Sequence, residues 1–435
     1  MSLSWTSLRA WGGSQQTAFE ELCCQLARSE KPPNARFIRK GSPDAGVECF
    51  ATLPNGDEWG WQAKFFETSL TATQWNQVDR SVKKALDSHP KLTRYYVCVP
   101  RDRSDGRKPN IKTEMQKWHE RVAKWQGWAA DRGMDVEYVW WGTSELWERL
   151  SLPEQAGRLD FWFGDPKLFV ESWFRGRLDE AIASAGARYT PELHVELPIA
   201  QTLELFGRTG AAGESVQRLA DDIRRSCTYE IRRIPTEDPS SGELSLKSLT
   251  DECDEVMCAL ADFDCPPDQP WRVSNVCEAI QRTLDLAEDH HQPLTSAERS
   301  YDEANPVDED SYAPRSNPFR EAGFALRRLE GQLWRTQDEL RHREPVVNAD
   351  LLIVTGDAGT GKTHLLCDVG ADRIARGLPT VVLMGQRFLS KADPWTQVLE
   401  QLDRVSSSAD AFVGALEAAA QAAACRALVI IDGIN

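Results

Sequence analysis

No apolar run in this 435-residue chain approaches the roughly 20 residues needed to span a bilayer, which argues against a membrane protein. The opening stretch, MSLSWTSLRAWGG, lacks both the basic start and the apolar core of a secretory signal. It predicts a cytoplasmic protein with reduced cysteines. Those cysteines lack ligand spacing as well. The eleven form no CxxC pair, and Cys227, Cys253, Cys258, Cys265 and Cys277 are irregularly placed with no histidine among them. Buried structural thiols are therefore expected in place of a metal site. Internal repeats and long low-complexity tracts are missing too.

What is present is a composition of 41 % hydrophobic and 27 % charged residues, that of a globular protein, in a length that suits two or three domains. The net charge of −16 is uneven. Residues 1–165 carry 23 Lys+Arg against 22 Asp+Glu, so the remaining 28 against 45 hold all the acidity. Between Asp79 and Lys112, ten basic residues (Arg80, Lys83, Lys84, Lys91, Arg94, Arg101, Arg103, Arg107, Lys108, Lys112) face four acids. A solvated surface accounts for such a cluster, and so does a surface that follows a phosphate backbone.

Tryptophan draws the same division, with 13 of 16 before residue 175. The front region begins with TAFEELCCQLARSE, where Phe19, Leu22, Cys23 and Leu26 recur at helical spacing. VECFATL and EWGWQAKFF follow as strands joined at Pro54-Asn55-Gly56-Asp57, and Asn-Gly is a strong hairpin signal. A helix near 71–88, a strand at 94–100, a helix near 111–132 and a strand at 136–142 complete an α/β pattern. We read residues 1–165 as the first domain and 166–318 as a helical connector to which no chemistry can be assigned. Its end, 288–318, is acidic and Pro-bearing and is expected to be a linker, with His290-His291 a solvated pair. Residues 319–435 form the third region, opened by a long helix from Phe319.

That region contains LLIVTGDAGTGKTHLL. An apolar strand, Leu351 to Val354, is expected to run into a Gly-rich turn and then a helix from about Lys362, the context a GxxxxGK[ST] motif requires. Gly356, Asp357, Ala358, Gly359, Thr360, Gly361, Lys362, Thr363 and His364 would line a triphosphate, the glycines letting backbone N–H groups turn inward. Lys362 would reach the β and γ phosphates, and the Thr363 hydroxyl would bind Mg²⁺. Downstream, RALVIIDGIN is an apolar strand ending at Asp432, the arrangement that holds the metal through a water. With TVVLMG at 380–385 between them, these elements read as the start of a parallel doubly wound sheet that binds ATP and Mg²⁺. Further strands and a sensor region are expected to follow, as in the front portion of a longer protein.

A second group sits in the first region: Asp44, Glu48, Gln62 and Lys64. Residues two apart on a strand share a face, so Gln62 and Lys64 point together, and the hairpin folds Glu48 back towards them. Glu20 on the first helix would complete a shell for Mg²⁺, or Glu21 if the helix is rotated. Carboxylates with a lysine suit phosphodiester hydrolysis, in which Mg²⁺ supplies a bound hydroxide and the lysine positions it.

FEELCCQL, GSPDAGVECF and WGWQAKFF resemble the PD-(D/E)xK endonucleases, particularly the Mrr-like restriction nucleases, over residues 10–145. Glu48 stands where Asp is commoner, and Gln62 replaces the second acid. A neutral amide binds Mg²⁺ less strongly than a carboxylate. Together with GDAGTGKTHL and IIDGIN, the whole resembles the antiviral STAND NTPases of the Avs group. The resemblance implies a restriction-endonuclease-like front domain that cuts double-stranded DNA, with Glu20, Asp44, Glu48, Gln62 and Lys64 as its site. It further implies an ATP switch, a homo-oligomer (a tetramer when active), and a phage protein sensed by a C-terminal region outside this sequence. Two other readings stay open. One is an NTP-driven, modification-dependent restriction endonuclease, and the other a nucleotide-regulated DNA-binding module without cleavage.

Overall fold

In the computed structural model, Ser14 opens the first helix by accepting a hydrogen bond from the Thr17 amide at 3.0 Å, a cap that satisfies a donor with no partner inside the helix. Helix α1 (Gln15–Glu30) buries Phe19, Leu22, Cys23 and Leu26, the stripe its periodicity marks. The structure describes residues 4–39, 45–106, 112–190, 198–229, 237–238, 242–243, 247–261, 263, 270–305, 317–405 and 407–433.

After α1 come β1 (Arg36–Arg39), β2 (Cys49–Thr52), β3 (Glu58–Ala63), α2 (Ala72–Ser88), β4 (Leu92–Cys98), α3 (Glu114–Ala130) and β5 (Glu137–Trp141). The strands form one mixed sheet in sequence order, antiparallel from β1 to β3 and parallel from β3 to β5. Helices α2 and α3 provide the crossovers that parallel pairing demands. Each begins with a capping box, Thr71 with Gln74 and Thr113 with Gln116. Val78, Val82, Tyr95, Val97, Trp125 and Tyr138 belong to the core between these helices and the sheet. Strand β1 is not foreseen in the sequence, because RFIR is too short to show a period. The hairpin is as expected: the Asn55 side chain accepts from the Asp57 amide at 3.0 Å, and Gly56 takes φ +87°.

Next in the chain are α4 (Thr143–Leu150), α5 (Ala156–Phe163), α6 (Glu171–Ala185), α7 (Pro198–Phe206), α8 (Gly210–Tyr229), β6 (Glu237–Asp238), β7 (Gly242–Glu243), α9 (Lys247–Ala261), α10 (Ser274–Ala304) and α11 (Pro318–Asn348). The last elements are α12 (Lys362–Ala375), β8 (Thr380–Met384), α13 (Pro394–Gln401), α14 (Ala409–Ala422) and β9 (Leu428–Asp432). Two compact units result. The first joins Met1–Tyr189 with Leu366–Ala423 and Ala427–Asn435, and the second is Thr190–Leu365 with Ala424–Arg426.

These units differ from a division at residues 165 and 318, and packing inside the first unit gives the reason. Helix α14 lies so close on α5 that a Cβ on Gly157 would collide with the Ala415 amide nitrogen and the Ala411 carbonyl. Small residues let two helix backbones approach in this way. Gln25 of α1 ties the same elements together. Its side-chain oxygen accepts from Arg158 Nε at 3.2 Å and Trp162 Nε1 at 3.0 Å, while its nitrogen donates to Glu21 at 2.8 Å and to the Ala418 carbonyl at 3.0 Å. All four hydrogen-bonding positions of this buried amide are used. In the same unit β8 and β9 pair in parallel, Met384 beside Asp432, and α6 packs on β8.

The second unit is a helical bundle whose core includes Ile223, Val256, Ile280, Leu284, Leu326 and Leu333. Here the linker expectation fails for its first half. Residues 288–304 belong to α10, because Ala287, Leu294 and Ala297 recur on one face and are buried. Composition hid this: the buried face is mostly small, and the outer one is acidic. His290-His291 is accordingly not a loop pair. His291 Nε2 lies 2.8 Å from Glu330 of α11, and His290 Nδ1 lies 2.7 Å from its own helix's Leu286 carbonyl. Residues 306–316 lie outside the described part.

A second correction concerns Leu351 to Val354, which make no strand. Leu351 and Ile353 are each 72 % exposed. An apolar run of this kind becomes a strand only beside partners that complete its ladder, and β8 and β9 pair only with each other among the described residues. Of the cysteines expected to be buried, Cys253 and Cys277 are, Cys258 is exposed, and Cys227 and Cys265 lie outside the residues whose burial is described. No helix among the described residues is long and apolar enough to cross a membrane.

Candidate functional site

The β2–β3 register builds the first site. Cys49 faces Trp61 across the antiparallel pair, so Glu48, one residue earlier, faces Gln62. The Glu48 amide donates to the Trp61 carbonyl at 2.8 Å and continues the ladder. Gln62 Nε2 donates to Glu48 Oε1 in a short hydrogen bond, and Lys64 Nζ lies 3.6 Å from the same oxygen. Glu48, Gln62 and Lys64 therefore converge at one end of the β2–β3 pair.

Gln62 is the informative member. It is fully buried, and its Oε1 has no hydrogen-bond partner among the described residues. The orientation of the amide is set by its neighbour, since an ionised Glu48 can only accept and must receive the NH₂ end. A buried carbonyl oxygen left unpaired carries a penalty of about 1–3 kcal/mol, which a coordinated cation relieves. As a hard oxygen beside a carboxylate it suits Mg²⁺.

The loop that leads into this strand is wedged. Gly46 has φ +86°, and an added Cβ would collide with the Ser81 carbonyl and the Ala85 nitrogen of α2. Buried Tyr95 of β4 donates its hydroxyl to the Gly46 carbonyl at 2.7 Å. Asp44, two residues earlier, lies outside the described residues. On α1 the two alternatives separate. Glu21 is 4 % exposed and engaged by Arg39 and Gln25; burial raises its pKa, against the pull of Arg39. Glu20 stays partly exposed and accepts from Gln16 at 3.1 Å. It is joined by no hydrogen bond to Glu48, Gln62 or Lys64. Among the described residues, no three His, Cys, Asp or Glu side chains gather as a metal site.

The basic cluster is partly neutralised. Arg94 pairs with Glu137, Arg101 with Glu114, Arg103 with Glu145 and Lys112 with Glu120. Arg80, Lys83 and Lys84 lie on α2 and are all exposed, and Arg107 and Lys108 lie outside the described residues.

In the second unit, the loop from Gly356 to Gly361 is exposed. Gly359 and Gly361 take φ +81° and +85°, backbone that glycine adopts without strain. Lys362 Nζ donates to the Gly356 and Asp357 carbonyls at 2.7 and 2.8 Å, and the Thr360 hydroxyl closes the turn onto Asp357 at 2.9 Å. An exposed glycine turn ahead of a helix N-terminus, with its lysine folded over it, fits a phosphate chain. Thr363 and His364 begin α12, the His364 ring accepting from the Thr190 amide at 3.4 Å. Asp357 and Ala358 form the exposed crown of the turn.

In the first unit, Asp432 ends β9 and is 5 % exposed. Arg188 NH1 lies 3.6 Å from its Oδ2. Burial, and then the carboxylates of Asp432 and Asp368, push the Cys367 thiol up to about 11, which keeps it protonated at neutral pH. Arg188 is a site residue that sequence reasoning missed. A lone arginine after a helix carries no motif. Comparison of the chain with protein-family models, curated proteins and solved structures finds no match.

Proposed function

We propose that the front region is a Mg²⁺-dependent DNA endonuclease and that nucleotide binding at the Gly356–Thr363 loop switches it, as in the antiviral STAND NTPases that the chain resembles. The observation that carries the nuclease reading is the buried Gln62 Oε1, without a hydrogen-bond partner among the described residues, beside Glu48 and Lys64. Magnesium bound there would polarise the scissile phosphate and supply a hydroxide.

The chain's own residues do the rest. Glu48 and Gln62 Oε1 offer metal ligands, with Asp44 and Glu20 as the remaining candidates. Lys64, held by Glu48, is placed to orient the nucleophile and offset charge developing on the phosphate. Arg80, Lys83 and Lys84 offer contacts to the DNA backbone. Lys362 and Thr363 would hold the triphosphate and its metal, and by sequence pattern Asp432 is the acid expected to hold that metal through a water. Double-stranded DNA is the proposed substrate, and a homo-oligomer triggered by a phage protein the proposed active form.

The test is plasmid cleavage with Mg²⁺ and ATP by the activated protein. Lys64→Ala should lower the rate by about 10²–10³-fold, the effect of removing one charge-stabilising donor, while leaving nucleotide affinity unchanged. Cleavage at the normal rate would exclude this site. If the unsubstituted protein retains plasmid without cutting it under every activating condition, the front region is a binding module.

A further inference from the structure

Beyond their last paired residues, β3, β4 and β5 are still tied at one edge of the front sheet. The Lys64 amide donates to the Cys98 carbonyl at 2.9 Å, and the Val99 amide to the Trp141 carbonyl at 2.9 Å. The chain then bends at once, because the Arg101 amide donates back across Pro100 to the Val99 carbonyl at 2.6 Å, the bond of a three-residue turn. Arg101 thereby stands at the carboxyl edge that also carries Lys64. Its side chain crosses to the segment that follows Lys64, where NH2 donates to Ser69 Oγ at 3.1 Å.

Arg101 is held but its donors are unspent. A guanidinium has five N–H donors, and among the described residues Arg101 uses one of them in a hydrogen bond. Its Nε is buried without an acceptor. Glu114 Oε1 stands 3.7 Å away, outside hydrogen-bond reach, while the other Glu114 oxygen accepts from the Ser104 amide at 3.3 Å. Neighbouring arginines differ: Arg132 directs all three nitrogens at Asp87 and the Trp128 carbonyl, and Arg103 lies against the rings of Trp118 and Trp140. A cation with only 34 % of its side chain exposed, anchored on one side and short of acceptors on the others, is preorganised for an anion. From this geometry we infer that Arg101 grips a DNA phosphate beside the scissile one and so fixes which phosphodiester reaches Glu48, Gln62 and Lys64. Phosphate contacts set register and orientation in this way and carry no base information. The inference rests on the nuclease reading above and deepens it by naming how the substrate is positioned.

Binding of the full chain to a short DNA duplex, across a salt series and with Ca²⁺ in place of Mg²⁺ so that the duplex stays whole, tests the grip. Arg101→Ala should weaken binding by about tenfold, the low end for hydrogen bonds to a charged group, and lower the slope of log affinity against log salt by about 0.9, the share of one phosphate. Arg101→Lys keeps the charge without the planar fork, so the slope should hold while part of the affinity is lost. Ser69→Ala removes the anchor alone and should weaken binding by a smaller factor at the same slope. In duplexes carrying a single methylphosphonate, neutralising one backbone position should weaken the parent and leave Arg101→Ala unaffected. Parent-like affinity and slope in Arg101→Ala, an equal loss in Arg101→Ala and Arg101→Lys at unchanged slope, or the same methylphosphonate response in parent and Arg101→Ala overturns the grip alone. Where Arg101→Ala fails to fold, parent-like binding in both Arg101→Lys and Ser69→Ala overturns it. If the unsubstituted chain binds no duplex, or Lys64→Ala cuts plasmid at the normal rate, the nuclease reading falls and the grip with it.

Discussion

The two candidate sites are built in opposite ways. Glu48, Gln62 and Lys64 are placed by strand register on a sheet with a buried core, and Gln62 itself is fully enclosed. The Gly356–Gly361 loop is exposed, follows an apolar stretch that joins no sheet, and keeps its lysine by hydrogen bonds to its own carbonyls. In the first site, side-chain geometry and fold stability are inseparable. In the second, the chemistry is local, and substitutions there should leave folding intact.

The strongest test of that contrast is Lys362→Ala. Its ammonium is hydrogen-bonded to carbonyls of its own loop, so the melting temperature should hold while nucleotide affinity falls by at least about tenfold, the loss expected for hydrogen bonds to a charged group. Equilibrium binding alongside thermal melting reads both, and a large drop in melting temperature would break the comparison. Next is Gly46→Ala, where collision with α2 and a positive φ should cost roughly 2–4 kcal/mol, read as a lower urea midpoint. A midpoint equal to that of the parent would show that the loop yields.

Tyr95→Phe removes only the hydroxyl on Gly46 and should cost about 1 kcal/mol, with a matching loss in cleavage rate if the loop positions Glu48. Stability loss without any rate change would separate the loop from the site. The smallest effect is expected at Glu21. Its pKa is raised in the fold, so its contribution is fully present below the free glutamate value, about 4.3, and is lost as pH rises through the higher native pKa. Glu21→Gln should flatten that part of the stability–pH curve, as followed by urea midpoints from acid to neutral pH.

Much of the front region was legible because its signals are local. The Asn55-Gly56 turn specifies a register, and register alone sets Glu48 opposite Gln62. The stripe of Phe19, Leu22, Cys23 and Leu26 identifies the buried side of α1 without reference to any partner. What escaped depends on distant partners. Leu351 to Val354 has the composition of a strand but no ladder to join, and Leu294 and Ala297 reveal a helix only against α11. Glu20 and Glu21 are alike in sequence, and only Arg39 and Gln25, by claiming Glu21, tell them apart. Arg188 gains meaning only from Gln386 and Asp432, some two hundred residues or more away.

The backbone-to-backbone crossing of Gly157 and Gly414 bears on how such a protein can be cut and recombined. A front region grafted onto a different C-terminal region would bring α5 but leave its matching glycine behind. A side chain at position 414 would press on Gly157 Cα at 3.2 Å, tighter than ordinary contact, and shift α14 on α5 by a few tenths of an ångström. The segments near residues 157 and 414 must therefore be inherited, exchanged or redesigned as a pair.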